Sequence, residues 1–530
     1  MSVTTSYPGI YIQELPSSSH AIVPAPTSIA AFIGVSHPFK TQNPGIAQQI
    51  FSFSDYETYF GGLFTSGLID ASLPRAVYQF FLNGGSTAYV VGLTPGLAGA
   101  TTAYFGNAST DMQFTVKVDT DNATTGLLIA ALEPTDIVPM AVQIPSVNST
   151  KSTFDLVITY GSQVETYRGV KLNDDSIAAI NAVSALVQIT QITAGSWGTT
   201  LPTPGVTKFQ TSPSHLPASV VSSFIPSDFL DVFEANTSLD NVEIFNLLLI
   251  PGVADNEVVS AALSFAERKR AFAILDAPAQ AVASGGKTDH PQPVQYWMEG
   301  LDGSNTGYTL PTSQNGALYF PYLISTDPVT ATNIQMPPSG FVAGIYAATD
   351  ASRGVWKAPA GLATVVLNTS GPVSTGVMND PQQGVLNLDS INCLRSFSGV
   401  GTVVWGSRTL VANNAAYQQS MYVPVRRMTL FIEQTLLANL RWVVFEPNDE
   451  PLWIAIKSSI EAFLLSLFRQ GGLQGSTPSD AFQVKCDSTT TTSTDQQNGI
   501  VNIVVAFAPL KPAEFVVIKI AQLAGQTAGS

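Results

Sequence analysis

Apolar residues along this chain fall into short runs, many of them hydrophobic on both faces, separated by polar and turn-forming stretches. Residues 28–35 (SIAAFIGV) read as a buried strand and residues 73–82 as a short helix. Residues 87–93 (TAYVVGL), after Gly84 and Gly85, read as a second strand. From about residue 96 to 213 the texture changes. Thr, Ser, Asn and Asp dominate, short alternating runs such as 112–118 and 154–160 recur, and only 176–186 looks helical, so an inserted, mostly β domain is expected. Strand and helix alternate again from Val242: a strand over 243–250, an amphipathic helix over 256–270 and a strand over 271–276 (AFAILD). Residues 316–324 and 338–348 continue the alternation. That order predicts a parallel sheet with helical cover. A last domain is expected from residue 386, with a helical pattern over 425–444. A second helix follows Asn448 and Asp449, which can cap it, with Pro451 at the favoured first position. It should bury Trp453, Ile456, Ile460, Phe463, Leu464 and Leu467, and end at Gly471 and Gly472. A hairpin over 482–486 and 500–507 comes next.

Both ends of this pattern are unusual. Residues 7–15 (YPGIYIQEL) and 514–523 (EFVVIKIAQL) are strand-like and apolar on both sides. Chain ends are normally polar and frayed, so two such segments need something to pair with.

Composition changes the picture in one respect. Only 12% of the 530 residues are charged, against about 25% in typical soluble domains. The exterior must therefore be covered by uncharged polar residues or by partners. A length of 530 residues predicts several domains. The net charge of −15, with no cationic run longer than Arg268-Lys269-Arg270, argues against nucleic acid as a partner. No stretch approaches the roughly 18 consecutive apolar residues of a membrane span, so no direct membrane insertion is expected. The first cation is Lys40, so no basic leader region is seen and cytoplasmic synthesis without a signal peptide is expected. Cys393 and Cys486 have no metal-ligand spacing and read as two reduced thiols.

A search for catalytic parts finds none. His20, His37, His215 and His290 are scattered in loops, without the i, i+4 spacing of a zinc helix. Gly286-Lys287-Thr288 resembles a phosphate loop, but the glycine required five positions earlier is Ala281, and Pro291 and Pro293 forbid the helix that should follow. Asp228, Asp231 and Glu234 crowd one segment, which reads as a solvated face or helix start. No cofactor or metal is expected, and the chain is not expected to be an enzyme.

Several segments resemble the contractile tail sheath proteins. They are residues 7–15, 52–62 (SFSDYETYFGG), 80–93 (FFLNGGSTAYVVGL) and 353–361 (RGVWKAPAG), then 391–410 (INCLRSFSGVGTVVWGSRTL), 422–449 and 452–475. The region 96–213 does not match. The resemblance implies an α/β and α+β multidomain fold, with a subtilisin-like α/β core formed by 21–95 and 214–385 and an inserted β-rich outward-facing domain over 96–213. An α+β tube-facing domain spans 386–512, and strand-exchange arms occupy 1–20 and 513–530. In such proteins the arms complete a sheet in the C-terminal domain of neighbouring subunits. This points to Ile10, Tyr11, Ile12, Phe515, Val516, Val517, Ile518 and Ile520 as inserted residues, and to the hairpin over 482–507 as the receiver. The implied function is a structural subunit that polymerises as a helical stack of rings around an inner tube and contracts to drive it through a target envelope. Alternatives are a minor baseplate-proximal paralogue or an exported β-rich adhesin. The implied partners are further copies of the chain, the inner tube protein, and baseplate and tail-terminator proteins, in a virion tail or tail-like particle. Arg426, Arg427, Arg441 and Lys457 are candidates for contact with the tube; alternatively they cap helices or bridge within the domain.

Overall fold

A computed structural model describes residues 21–93 except 68, 113–117, 126–191 except 136, 195, 197, 201–209, 226–279, 294 and 312–520. The chain divides into two compact units. One comprises residues 26–353 and 358–426; the other comprises 1–25, 354–357 and 427–530, so far as these are described.

The first unit is built on eight strands: β1 (Ala30–Val35), β2 (Ala47–Ile50), β3 (Ala88–Leu93), β4 (Leu247–Leu249), β5 (Phe272–Asp276), β6 (Gly316–Phe320), β7 (Ile391–Phe397) and β8 (Gly401–Val404). Their order in the sheet is β8-β7-β6-β5-β4-β1-β3-β2. The six strands from β7 to β3 are mutually parallel, and β8 and β2 close the two edges antiparallel. All residues of β1 and β5 are buried, as a parallel sheet covered on both faces requires. On one face the helix Asn256–Lys269 sets Val259, Leu263 and Ala266 into a core with Ala31, Ile33, Leu248 and Ala273. That helix starts where the Asp255 carboxylate accepts from the Glu257 and Val258 amides. On the other face the helices Ser72–Leu82 and Ser339–Arg353 lie against Phe32 and Phe272, with ring contacts Phe32–Phe80 at 5.4 Å and Phe272–Tyr346 at 6.4 Å.

The C-terminal domain boundary expected at residue 386 is corrected by this sheet. β7 pairs with β6 in the register Leu318↔Ile391 and Phe320↔Cys393, so residues up to 426 belong with the first unit. The helix that carries the chain into β7, Asp380–Leu388, was not predicted. It is fixed locally by a capping box, in which the Gln382 amide donates to Asn379 Oδ1 and the Asn379 amide to Gln382 Oε1. The helix Phe53–Phe60 was also missed, although Ser52 caps it at the Asp55 amide.

Residues between β3 and β4 form antiparallel strands with a core of their own, including Leu127, Ile129, Val142, Leu156, Ile158 and Ile177. The helix Asp174–Asn181, capped by Asn173, ends earlier than the helical pattern to residue 186 suggests. In the second unit the helix Glu450–Arg469 starts at the Asp449 cap with proline in its first turn, and buries Trp453, Ile456, Ile460, Phe463, Leu464 and Leu467. By length and hydropathy this helix could cross a membrane, but its apolar stripe lies in the core with Met428, Phe431, Val484 and Cys486. The strands Phe482–Lys485 and Val504–Phe507 form an antiparallel pair. Residues 22–25 run beside the helix Val423–Asn439: the Val23 amide donates to Asn439 Oδ1, Asn439 Nδ2 returns a bond to Val23 O, and the Ala25 amide donates to Thr435 Oγ1.

Helix contact in the first unit depends on two glycines. A Cβ on Gly340 would sit 2.4 Å from Ala76 O, and one on Gly344 2.8 Å from Phe80 O. Gly340→Ala should therefore destabilise the protein by about 1–3 kcal/mol despite the better helix propensity of alanine. Gly384→Ala, where a Cβ meets nothing within 4 Å, should instead stabilise by up to about 1 kcal/mol. Urea denaturation of the two variants checks the opposite signs.

Candidate functional site

An open parallel sheet offers ligands the crevice at the carboxyl ends of its strands, so a reaction centre is sought there first. Asp276 ends β5 and is 2% exposed. Its Oδ1 accepts from the Ser339 amide at 2.7 Å; its Oδ2 accepts from Ser339 Oγ at 2.6 Å and from the Gly252 amide at 3.0 Å. The carboxylate thus caps the helix Ser339–Arg353 and ties it to the loop after β4. Burial pushes the Asp276 carboxyl up to about 6, against the pull of its hydrogen bonds from Ser339 and Gly252. Ser339 itself is completely buried, so its hydroxyl, although hydrogen-bonded to the Asp276 carboxylate, presents no nucleophile to a substrate. The pair is a structural tie.

The other chemical candidates separate. Both nitrogens of His37 are engaged, one facing Glu133 Oε2 and the other accepting from the Phe39 amide. His20, His215, His290 and Gly286-Lys287-Thr288 lie outside the described residues. Asp228 stands on the helix Pro226–Leu230, its carboxyl raised by burial and by Asp231. Cys393 and Cys486 are free, buried thiols, and burial pushes that of Cys393 up to about 12. Among the described residues no group of three His, Cys, Asp or Glu side chains is placed to hold a metal.

The surfaces tell more. Beyond Pro509, which bridges to Leu473, residues 511–520 pair with no strand among the described residues. Phe515, Val516, Val517, Ile518 and Ile520 are 72–90% exposed. The hairpin of the same unit has only two strands, and Val504 on it is exposed. Ile10, Tyr11 and Ile12 lie outside the described residues. The four cations are not equivalent. Arg427 is 3% exposed, and Arg426 directs Nε and Nη2 onto Asn315 Oδ1 at 3.0 and 2.9 Å. Arg426 is committed within the first unit and Arg427 is buried. Arg441 is exposed, and Lys457 is half-exposed, 3.9 Å from Glu461 one turn along its helix. A further feature was missed in the sequence. Phe445 is fully exposed on left-handed backbone, φ 73°, next to the exposed Val444. Its only signal is an apolar run, Trp442 to Phe445, ending abruptly at Glu446, Pro447 and Asn448.

Two family models match the chain. The phage tail sheath protein central domain covers residues 230–410, and the phage tail sheath C-terminal domain covers 417–522. Together they span more than half of it. The chain belongs to the phage tail sheath family. The break between the two domains falls close to the division between the structural units at residue 427. Over 201 residues the chain is 25% identical to the tail sheath protein of Vibrio phage KVP40; the match covers 37% of this chain and 28% of that relative's length. Two solved structures share its mixed α/β multidomain fold. One is the sheath complex of an extracellular contractile injection system, PVC, in its contracted state (22% identity, TM-score 0.56, 98% of this chain and 99% of that one). The other is the helical sheath of the anti-feeding prophage in its contracted state (22%, 0.55, 98% and 100%).

Asp276 gives this family member a specific pH signature. Its folded carboxyl titrates near 6, above the ordinary 3.8, so between those values the folded protein holds a proton that the unfolded chain has released. The stability from this group is complete below the unfolded value and is lost as pH rises through the folded one. Asp276→Asn removes the titration and leaves the Gly252 amide facing an NH2, at a cost of about 1–3 kcal/mol. Melting temperatures from pH 4 to 7 should show the wild type losing part of its advantage over the variant. Parallel curves would contradict the assignment.

Proposed function

We propose that this protein is the structural subunit of a contractile sheath, polymerising helically around an inner tube and contracting to drive that tube through a target envelope. The observation that carries the reading is the exposed apolar side chains of 515–518 and 520 in a unit whose hairpin has two strands. An extended segment gains main-chain hydrogen bonds and buried side chains by joining another chain's open edge. Burying five such side chains is worth on the order of 10 kcal/mol. Ordering the segment's backbone costs about 1–2 kcal/mol per residue, so one arm alone holds weakly. A lattice in which every copy gives and receives arms holds through their number. Phe515, Val516, Val517, Ile518 and Ile520 are the inserted residues, with Ile10, Tyr11 and Ile12 in the second arm, and the hairpin Phe482–Lys485 and Val504–Phe507 receives them.

The rest of the reading follows from the same source. The first unit's parallel sheet is the subtilisin-like core, without catalytic use, and no enzymatic activity is assigned to the chain. The strands between β3 and β4 decorate the outside. Partners are further copies of the chain, the inner tube protein, and the baseplate and terminator that bound the stack, assembled from cytoplasmic protein into a tail or tail-like particle. Arg426, Arg427, Arg441 and Lys457 are the candidate cations for the tube, and the exposed Arg441 and half-exposed Lys457 suit solvent-screened pairs weak enough to release.

Electron microscopy of the protein purified alone tests the central claim. Hollow striated tubes of uniform diameter are expected. Deleting residues 514–530 should abolish them while the circular dichroism of the subunit stays unchanged, because that segment's described part joins no internal strand. Tubes that persist after the deletion would remove the arm from the mechanism. Arg441→Glu should leave self-assembly intact and reduce co-sedimentation of tube protein at low salt, with the difference vanishing as salt is raised.

A further inference from the structure

Where the chain leaves β1 it closes into a polar turn: Thr41 Oγ1 donates to His37 O at 2.8 Å and lies 2.7 Å from Ser36 Oγ. His37 is 1% exposed. Its Nδ1 accepts from the Phe39 amide at 3.2 Å, so the proton of the neutral ring sits on Nε2, which faces Glu133 Oε2 at 3.1 Å. The Lys40 ammonium pairs with the other oxygen, Oε1. Phe64 closes over the imidazole edge-on at 5.3 Å. The helix Phe53–Phe60 bounds another side, where a Cβ on Gly61 (φ +81°) would meet Lys40 Cβ at 2.3 Å and His37 Cβ at 3.0 Å. Close packing at Gly61 thus holds the His37 and Lys40 side chains in place.

The Glu133 carboxylate comes from the insertion. Glu133 follows the strand Gly126–Ala131, and its side chain is 7% exposed. Its neighbours anchor it to the insertion: the Leu132 amide donates to Leu186 O at 2.8 Å, and Tyr160 OH donates to Pro134 O at 2.7 Å. Tyr160 is part of the insertion's own core. A buried carboxylate without partners costs several kcal/mol; here each oxygen has its own donor. Although burial opposes its ionisation, the hydrogen bond from His37 and the charge of Lys40 bring the Glu133 carboxyl below its ordinary value. Burial in turn pushes the His37 imidazole down.

We infer that residues 36–41 form a carboxylate-binding pocket at the carboxyl end of β1, with Glu133 as its resident ligand, fastening the base of the insertion to the core. The insertion has its own hydrophobic core, so this seat is a discrete fastening that a small carboxylate can refill once Glu133 is removed.

Hydrogen exchange on the full-length Glu133→Ala variant tests this. Amides of residues 36–41 and 132–135 should exchange about ten-fold faster or more, the effect of losing a charge-assisted buried pair, while those of β5 stay unchanged. Tens of millimolar acetate should restore protection in 36–41, chloride at equal ionic strength should not, and acetate should fail in Glu133→Ala/Lys40→Met. Unchanged exchange in the variant, no rescue by acetate, or equal rescue by chloride overturns the pocket. Should the alanine variant not fold, Glu133→Gln and Lys40→Met are combined in a double-mutant cycle read by the same amides. Non-additive changes of several fold support the pocket, and additive ones overturn it.

Discussion

A parallel sheet covered on both faces confines polar side chains to the ends of its strands, and the first unit is organised by how those ends are satisfied. Asp276 at the end of β5 takes three donors from the loop after β4 and the start of the helix Ser339–Arg353. Asn246, before β4, accepts from the Ile29 amide and donates to Pro26 O. Asn392, buried in β7, donates to Leu318 O and Arg408 O and accepts from the Arg408 amide. Each is a polar group that costs about 1–3 kcal/mol if left unpaired, and each joins segments distant in sequence. At the carboxyl end of β5, where other open α/β sheets offer a crevice to ligands, the Asp276 carboxylate is occupied by the chain's own donors.

The second unit follows a different rule. Its core is a pair of helices and a two-stranded hairpin, an element that is marginal by itself and is held by Val484 and Cys486 packing into the cluster around Ile456, Ile460 and Leu464. Its main-chain ladder stops at two strands, and its last described residues are apolar and exposed. A charged fraction of 12% suits a chain that does not have to keep all of this surface in water.

Elements defined by local signals were legible in the sequence. The helix Glu450–Arg469 is fully specified by a cap residue, a proline, a 3.6-residue apolar stripe and a terminal glycine pair. β1 and β5 are apolar on both faces and read as buried strands at once. What was not legible is which sheet receives a strand. Residues 391–394 look the same whether they pair with β6 or with a separate C-terminal sheet, and only the long-range register decides. Likewise, Arg426 and Arg427 are neighbours on one helix, so their side chains point about 100° apart. They cannot share one partner, and nothing local says that Arg427 is buried while Arg426 reaches Asn315. The pocket around Glu133 joins residues nearly a hundred positions apart and leaves no pattern at all.

These two rules divide the labour within the molecule. In the first unit Asp276, Asn246 and Asn392 are paired internally and tie strand ends to neighbouring segments, which suits the sheet to move as a rigid body. In the second unit the hairpin has two strands among the described residues and the side chains of 515–518 and 520 are exposed. On the sheath reading, that is the arrangement a contracting lattice requires. Subunits must shift against each other without deforming, while connections of low individual strength follow them through the change. A core with unsatisfied ends would dissipate the transition in local rearrangement, and arms satisfied within their own chain would leave nothing to link one subunit to the next.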